Sequence, residues 1–513
     1  MLYFLHRPFV ALADTVGAAP DDLKLVTSFL ISFPLAAVLK RIPDSKPDLK
    51  NLFAISVSIF YLVGLFDLWD GVRTLFISAG GTYCIAKFLR TSPYMPWIGF
   101  AFVMGHMSLS HIARQAADDP TRADVTGAQM VLLMKLSAFC WNVADGQLPE
   151  EYLSDFQKRN MLKDLPPILD YAGWVLFFPA LFAGPSFDFT DYRKWLDTTM
   201  FDAPNVDPAK KPPVRKKRKI PRSGGPAAWK AASGLFLIGI MVSSAVSGSL
   251  TEGSCILAGM GYNGVDPVTG KVFWNRLQNI DPWAVETAQN PRGYLGGWNI
   301  NTSNWLRNYV YLRVTPRGKK PGFRASLMTF GTSALWHGFY PGYYLSFVLA
   351  SFIQTAAKHY RRHVRPFFLE PITGNPSPKK KYYDFVSYLA TQLTFTFATA
   401  PFLVLTLQGS LLAWSRVYFY AVIWTFLSLV FFSSPGKAAL KQQLEKRQGR
   451  ASAKLVRSIS TDSLTGKEPI LGISKDIEGD FNEAVEEIKA EMEMRQRKVK
   501  AEIEAHKAKA QTS

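Results

Sequence analysis

The sequence predicts an all-α protein, a polytopic membrane bundle of about 11 spanning or re-entrant helices that encloses an internal chamber and carries a soluble C-terminal tail. Three observations predict it. Long apolar stretches recur up to residue 433, basic residues are concentrated between and after them, and prolines and glycines interrupt many of them. The mean hydropathy of +0.03 is close to neutral because the polar tail dilutes these stretches.

The apolar stretches are the predicted helices. A helix needs roughly 20 apolar residues to cross the hydrocarbon core of a bilayer, and several stretches approach or exceed that length. The shorter ones are predicted to be buried or re-entrant helices. The stretches lie at about residues 24–39, 52–66, 72–87, 97–109, 128–141, 172–186, 231–250, 325–336, 342–357, 385–408 and 411–433.

Prolines and glycines inside the stretches predict the internal chamber. They free backbone polar groups that lipid cannot satisfy, so neighbouring helices or a water-filled cavity must satisfy them. For any single one, the alternative is an ordinary kinked span. Examples are Pro34, Gly64, Pro179, Gly184 and Pro401.

Basic residues give the formal net charge of +19 and are concentrated in three segments, 210–219, 313–324 and 437–457. Under the positive-inside rule these segments face the cytosol, which predicts a basic cytosolic loop over residues 203–227. A single span between this loop and the segment that begins at Arg313 would put the two on opposite sides of the membrane. Either one intervening stretch is therefore re-entrant, or one of the two loops is assigned to the wrong side.

The run Lys216–Lys219 has an alternative interpretation. In isolation it resembles a nuclear import signal or a nucleic-acid-binding patch. Because it lies among many predicted spans, a loop at the membrane surface is preferred, and no nucleic acid is expected as a partner.

The chain is predicted to consist of a membrane domain, residues 1–434, and a polar, partly disordered cytosolic tail, residues 435–513. The tail carries several serines near Ser458 and a charged stretch from about residue 480 to 509, which is typical of a solvated helix. One interpretation is a tail regulated by phosphorylation, and the other is a dispensable tail.

A histidine lies where one apolar stretch breaks. Trp336-His337-Gly338 closes the apolar run 325–335. An ionisable residue in a segment otherwise fit for lipid suggests chemistry inside the membrane. Burial disfavours the imidazolium, so the neutral ring of His337 can accept a proton as a general base. The alternative is a histidine that only packs in the bundle and bonds to a backbone carbonyl.

A cluster of uncharged polar residues, Trp298 to Trp305, lies upstream of that histidine. The amides of Asn299, Asn301 and Asn304 can hold a carbonyl or a developing oxyanion without the cost of burying a charge. A base together with an amide suggests acyl transfer.

Other catalytic chemistries lack their usual sequence signals. The chain has no G-x-S-x-G, no H-E-x-x-H and no D-x-D-x-D, and its cysteines, Cys84, Cys140 and Cys255, are isolated. His106 and His111 are five residues apart and so lie on different helix faces, which argues against a metal pair. Neither a metal nor a cofactor is expected.

Taken in order, these motifs resemble the membrane-bound O-acyltransferase family, in its lysophospholipid acyltransferase branch, and are most similar to its fungal members. The W-H-G triplet alone is weak, while the ordered set is specific. Further matches lie at residues 135–146, 182–192 and 259–264, so the resemblance covers roughly residues 20–435.

The resemblance implies that residues 1–434 form an acyltransferase domain in the endoplasmic reticulum membrane. It would move a fatty acyl chain from acyl-CoA, a co-substrate, to the free hydroxyl of a lysophospholipid, with sn-2 as the expected position. Membrane lipids would be its further partners, and the sequence does not indicate an oligomeric state. Alternatives are another acceptor (a sterol, diacylglycerol or a protein) or a lipid transporter or scramblase.

The resemblance also implies the site residues. By position in the motifs, the catalytic pair falls on His337 and Asn299, and the other two asparagines are less expected. The phosphates of CoA would meet the basic residues that follow Trp305. His106 is expected to line the cavity, and Asp145 to have a structural or head-group role. The candidate substrate-binding residues are Trp298, Asn301, Asn304, Trp305, Arg307, Arg313, Arg317, Lys319, Lys320, Trp336, His106 and Asp145.

Overall fold

The computed structural model describes residues 3–117, 124–202, 242–266, 272–315 and 323–462. These residues form helices, turns and irregular segments, and their β-structure is limited to two isolated bridges, Val265 with Val272 and Leu369 with Pro376. The predicted all-α class is therefore confirmed. The predicted loop 203–227 and the charged stretch near residues 480–509 lie outside the described residues.

The helices before the first long gap are α1 (Tyr3–Val16), α2 (Pro20–Leu39), α3 (Pro47–Ile59, continued by a π-helix, Phe60–Leu65), α4 (Trp69–Phe88), α5 (Met95–Ala117), α6 (Thr126–Asp145), α7 (Asp155–Asn160), α8 (Ile168–Val175) and α9 (Phe189–Leu196). Short 3₁₀ turns lie at Glu150–Tyr152, Phe178–Ala180 and Thr199–Phe201.

The later helices are α10 (Val242–Ala258), α11 (Pro282–Glu286), α12 (Pro291–Gly297), α13 (Ile300–Trp305, continued by a π-helix, Leu306–Tyr311), α14 (Phe323–His337), α15 (Pro341–His363), α16 (Lys380–Val404), α17 (Leu407–Arg416), α18 (Tyr420–Ser433) and α19 (Pro435–Asp462). A 3₁₀ turn covers Arg365–Phe368. The chain divides into two compact units, residues 1–444 and 445–513, and every candidate site residue belongs to the first.

Helix α6 is the central helix of the larger core. All of its 20 residues are buried except Gly127, Met130 and Ala144. A helix buried on every side must be surrounded by other elements. Helices α4 and α5 pack along it, and α7, α13 and the π-helix that follows α13 also contact it.

A buried lysine lies in the middle of α6. The Lys135 side chain is 2% exposed, and its ammonium group donates to the carbonyl oxygen of Trp174 at 2.6 Å. The same nitrogen lies 4.6 Å from the centre of the Phe187 ring. A buried ammonium group needs such partners, because burying the charge without them would cost several kcal/mol.

The later helices form a second layer beside α6. Helix α15 packs between α14 and α16, and α17 and α18 pack against this group. Its apolar cluster is built around Tyr294 and Phe395, whose rings stack at 4.3 Å, and around Phe397 and Trp414, whose rings stack at 4.9 Å.

Two predicted stretches are broken in the structure. The stretch 172–186 forms α8 and then a 3₁₀ turn, because Pro179 and Pro185 cannot donate the backbone hydrogen bonds that a longer helix would need. The stretch 411–433 changes direction by 81° between α17 and α18. The bend lies at Tyr418 and Phe419, whose φ angles of 54° and 50° are in the left-handed region.

Two of the described helices are long and apolar enough to cross a membrane, Pro20–Leu39 and Pro47–Leu65, and the bent pair formed by α17 and α18 would be a third. Each predicted stretch overlaps a described helix, although residues 231–241 of one stretch lie outside the described ranges. The count of about 11 spanning or re-entrant helices stays a prediction.

Candidate active site

One face of α6 binds both polar motifs. The carbonyl oxygen of Met130 accepts a hydrogen bond from Trp336 Nε1 at 3.0 Å. The sulfur of Met134 accepts from Thr302 Oγ1 at 3.3 Å, and Ser137 Oγ accepts from Trp305 Nε1 at 2.9 Å. Residues four and then three positions apart share one face of a helix. Helix α6 therefore fixes the position of the Trp298–Trp305 motif relative to Trp336-His337-Gly338.

The two motifs also touch each other. The indole rings of Trp305 and Trp336 are 6.3 Å apart, and both side chains are buried. The π-helix that follows α13 packs against α14, which carries His337 at its C-terminal end. The structure therefore brings the two motifs into contact, although Asn299 and His337 are 38 residues apart in the sequence.

His337 lies in a cage of aromatic rings. Its imidazole stacks on Phe347 at 5.3 Å and meets Phe402 edge-on at 4.8 Å. Trp336 and Tyr343 complete the cage at 4.6 and 5.5 Å. Within the described residues, neither ring nitrogen of His337 makes a hydrogen bond. A partly buried imidazole with both nitrogens uncommitted can contact a substrate directly.

His111 supports the backbone around His337, whereas the sequence analysis considered it only as half of a metal pair and assigned it no role. Its Nε2 lies 3.1 Å from the carbonyl oxygen of Trp336, and only a protonated nitrogen can bond to a carbonyl. Gly338 has a φ of 121°, and a β-carbon there would lie 3.1 Å from His111 Nδ1. The ring of His111 thus fills the space beside Gly338. The only sequence signal was an ionisable residue within the apolar helix α5.

Asn299 begins α13 with a left-handed backbone, φ 43° and ψ 62°. Asparagine tolerates this conformation better than most residues. Its side-chain oxygen accepts from the backbone N–H of Thr302 at 3.4 Å and caps the helix. Because the cap uses the oxygen, the amide nitrogen stays available as a donor, and it has no partner among the residues that the structure describes.

The other two asparagines are placed differently. The Asn301 amide nitrogen donates to the side-chain oxygen of Asn279 at 3.2 Å and to the carbonyl oxygens of Leu277 and Gln278 at 3.3 and 3.4 Å. Asn301 therefore ties α13 to the preceding loop. Asn304 has an exposed side chain. Of the three, Asn299 alone offers a partly buried amide donor that is not already used.

Asp145 and Arg313 form a buried ion pair at the end of α6. The guanidinium makes two parallel hydrogen bonds to the carboxylate, at 2.7 and 2.5 Å, and lies over the Trp141 ring at 4.4 Å. Gln157 Nε2 donates to the same carboxylate at 2.9 Å. The Asp145 and Arg313 side chains are 2% and 12% exposed. Arg313 is thus neutralised within the protein and not directed to solvent.

The remaining candidates are spread around this scaffold. His106 Nδ1 lies 2.8 Å from Ser78 Oγ and 3.4 Å from Gln129 Nε2, in a polar cluster between α4, α5 and α6. Trp298 packs on the second apolar cluster. Arg307 is exposed and donates to Asn308 Oδ1 at 3.0 Å. Arg317, Lys319 and Lys320 lie outside the described residues, within which no group of three metal-ligating side chains comes together.

Comparison with known proteins gives the family. The family model described as MBOAT, membrane-bound O-acyltransferase family, matches residues 119–221 and 228–400, which include both motifs. The chain is 41% identical over 484 residues to the "Lysophospholipid acyltransferase" of Schizosaccharomyces pombe, covering 87% of this chain and 93% of that protein. It is 40% identical over 501 residues to the Saccharomyces cerevisiae protein of the same name, covering 87% and 80%. The human "Membrane-bound glycerophospholipid O-acyltransferase 1" is 26% identical over 470 residues, covering 82% and 90%.

His111→Ala is expected to lower kcat for acyl transfer at least about tenfold and leave KM nearly unchanged, because the lost group positions the turn that carries His337, the predicted base, and does not bind substrate. His111→Gln, which can still donate to the Trp336 carbonyl, should recover most of the activity. Equal losses in both variants, or a loss confined to KM, would argue against a positioning role.

Asp145→Ala is expected to destabilise the protein by about 3–5 kcal/mol, because it leaves the Arg313 guanidinium buried without its partner. Thermal unfolding in detergent would measure the change. The double variant Asp145→Leu with Arg313→Met should recover most of the stability, since it removes both charges. A wild-type melting temperature for Asp145→Ala would show that the pair contributes little.

Proposed function

This chain belongs to the membrane-bound O-acyltransferase family, and from this premise we propose that it is a lysophospholipid acyltransferase that moves a fatty acyl chain from acyl-CoA to the free sn-2 hydroxyl of a lysophospholipid. The observation that carries the proposal is the 41% identity to a protein of that name over 93% of its length. The uncommitted imidazole of His337 and the uncommitted amide of Asn299 belong to two motifs whose tryptophans bond to one face of α6, which is consistent with this chemistry.

In the proposed reaction His337 acts as general base. An imidazole nitrogen takes the proton of the lysophospholipid hydroxyl as its oxygen attacks the thioester carbonyl carbon. The new C–O bond forms first, the C–S bond then breaks, and the imidazolium returns the proton to the departing thiolate of CoA. CoA leaves as the free thiol, His337 is regenerated as the neutral base, and no acyl-enzyme intermediate is needed.

Asn299 would stabilise the oxyanion of the same step. Its amide nitrogen can donate to the thioester oxygen while its side-chain oxygen keeps the cap on α13. A donor held by a helix cap does not need to reorganise when charge develops. The aromatic cage of His337 would keep water from the acyl group, so that the lysophospholipid hydroxyl and not water is the acceptor.

The proposal includes a multi-pass location in the endoplasmic reticulum membrane, about 11 spanning or re-entrant helices, and a cytosolic tail. The basic segments 210–219, 313–324 and 437–457 support a cytosolic face on which soluble acyl-CoA arrives. The names of the relatives favour a lysophospholipid acceptor over a sterol, diacylglycerol or a protein. The family and the names of its relatives favour an enzyme over a transporter or scramblase.

His337→Ala is expected to reduce acyl transfer by about two to four orders of magnitude, the usual contribution of a general base. Purified protein, labelled acyl-CoA and a panel of lysophospholipids would measure it. His337→Gln should be as inactive, since it fills the cage without supplying a base. If either variant keeps more than about a tenth of the wild-type activity, the loss is smaller than removal of a general base should cause, and His337 is not the base.

Asn299→Ala is expected to lower turnover by about two to three orders of magnitude, as for a lost oxyanion donor. Asn299→Asp is the matched control: it keeps the capping oxygen and removes the donor, so it should keep the fold and lose activity. Asn304→Ala should be nearly normal. An inactive but stable Asn301→Ala beside a nearly normal Asn299→Ala would assign the role to Asn301.

A further inference from the structure

A basic pocket of about 350 Å³ lies at the surface between α7 and α9. This volume is within the range of about 300–1,000 Å³ that is usual for small-molecule sites. Five cations line the pocket, Lys158, Arg159, Lys163, Arg193 and Lys194, together with two carboxylates. The excess of cations over carboxylates suits an anionic ligand.

Two of the five cations make neither an ion pair nor a hydrogen bond within the described residues. Lys163 is paired with Glu150 at 2.8 Å, and Arg193 lies 3.8 Å from Asp197. Arg159 donates to the carbonyl oxygen of Asp155 at 3.3 Å. Within the described part of the chain, the ammonium groups of Lys158 and Lys194 make neither an ion pair nor a hydrogen bond, and both side chains are exposed in the pocket. These two groups are available to a ligand.

The floor of the pocket is fixed to α6. The backbone N–H of Leu162 donates to the carbonyl oxygen of Asn142 at 2.8 Å. Thr190, which also lines the pocket, donates to the side-chain oxygen of Asn160 at 3.0 Å. The floor therefore keeps a set position relative to α6 and to the motifs that α6 binds.

The pocket and the candidate active site lie at two separate levels of α6. The floor contacts Asn142, and Trp336, next to His337, contacts Met130. These positions are twelve residues apart, which at 1.5 Å per residue is about 18 Å along the helix axis. An extended pantetheine arm can bridge such a span between a nucleotide and a thioester.

We propose that this pocket binds the phosphates of the nucleotide of acyl-CoA, with Lys158 and Lys194 as their principal ligands. The inference rests on the proposed function for the identity of the acyl donor. Acyl-CoA carries three phosphates at one end, whereas a lysophospholipid carries its phosphate beside the reacting glycerol, close to His337. Arg313, one of the residues that the sequence analysis predicted for the CoA phosphates, is already paired with Asp145.

The test is the double variant Lys158→Ala with Lys194→Ala in the full-length protein at low salt. The KM for acyl-CoA should rise about tenfold, as expected for the loss of two solvent-exposed ionic contacts that each contribute slightly less than about 1 kcal/mol to binding. The kcat and the KM for lysophospholipid should change less than about twofold, because such contacts bind ground and transition states alike. The difference from wild type should shrink as salt is raised.

Matched controls separate charge from shape. Lys158→Arg with Lys194→Arg keeps the charges and should keep the wild-type KM. Lys379→Ala removes an exposed lysine elsewhere in the chain and should have no effect. Direct binding of free CoA, measured by calorimetry, should weaken in the alanine pair to the same extent as the KM rises.

Unchanged CoA binding and an unchanged acyl-CoA KM at low salt would overturn the inference. So would a rise confined to the KM for lysophospholipids with anionic head groups, since the pocket would then take the lipid phosphate. If the wild-type protein transferred no acyl group to any lysophospholipid, the proposed function would fail. Calorimetry with free CoA would still decide the pocket assignment.

Discussion

The three hydrogen bonds that one face of α6 accepts are the constraint on which the site depends. Trp336, Thr302 and Trp305 bind at Met130, Met134 and Ser137, which lie in line along two turns of the helix. One acceptor is a backbone carbonyl, which has a second lone pair and can bond to an indole without leaving the helix ladder. The two motifs are therefore positioned by a rigid element and not by the loops that carry them.

The same helix carries the polar groups that make the core specific. Lys135 bonds to a carbonyl and lies against aromatic rings, and Asn142 bonds to Asp188 while accepting from Tyr309. Asp145 pairs with Arg313. Each of these groups would be costly to bury alone, so each requires one particular neighbour. The apolar residues of α6 stabilise its burial, whereas these polar contacts fix its rotation and height.

Much of this could be predicted from the sequence, and the rest depended on contacts between distant residues. The apolar stretches predicted the helices because apolar length is a local property, and the W-H-G motif was correctly placed at a helix end. The left-handed Tyr418 and Phe419 that break one stretch carry no such signal. The choice of Asn299 among three asparagines came from the family resemblance and stays a prediction, whereas the role of His111 required a contact with Trp336, 225 residues away. The pairing of Arg313 was missed for the same reason, since its carboxylate lies 168 residues earlier.

The burial of α6 has a consequence for the biogenesis of the protein. When α6 leaves the ribosome, it carries a lysine, an asparagine and an aspartate whose neighbours are only partly synthesised. Trp305 and Arg313 follow their α6 partners by 168 residues, and Trp336 follows by 206. Exposing the polar side chains of such a helix to the lipid hydrocarbon is energetically unfavourable. Helices α4 and α5, which precede it and cover much of its length, can shelter it. The first half of the protein therefore forms an incomplete assembly after insertion, in which one face of α6 is still uncovered. The assembly is completed only when α13 and α14 pack on that face.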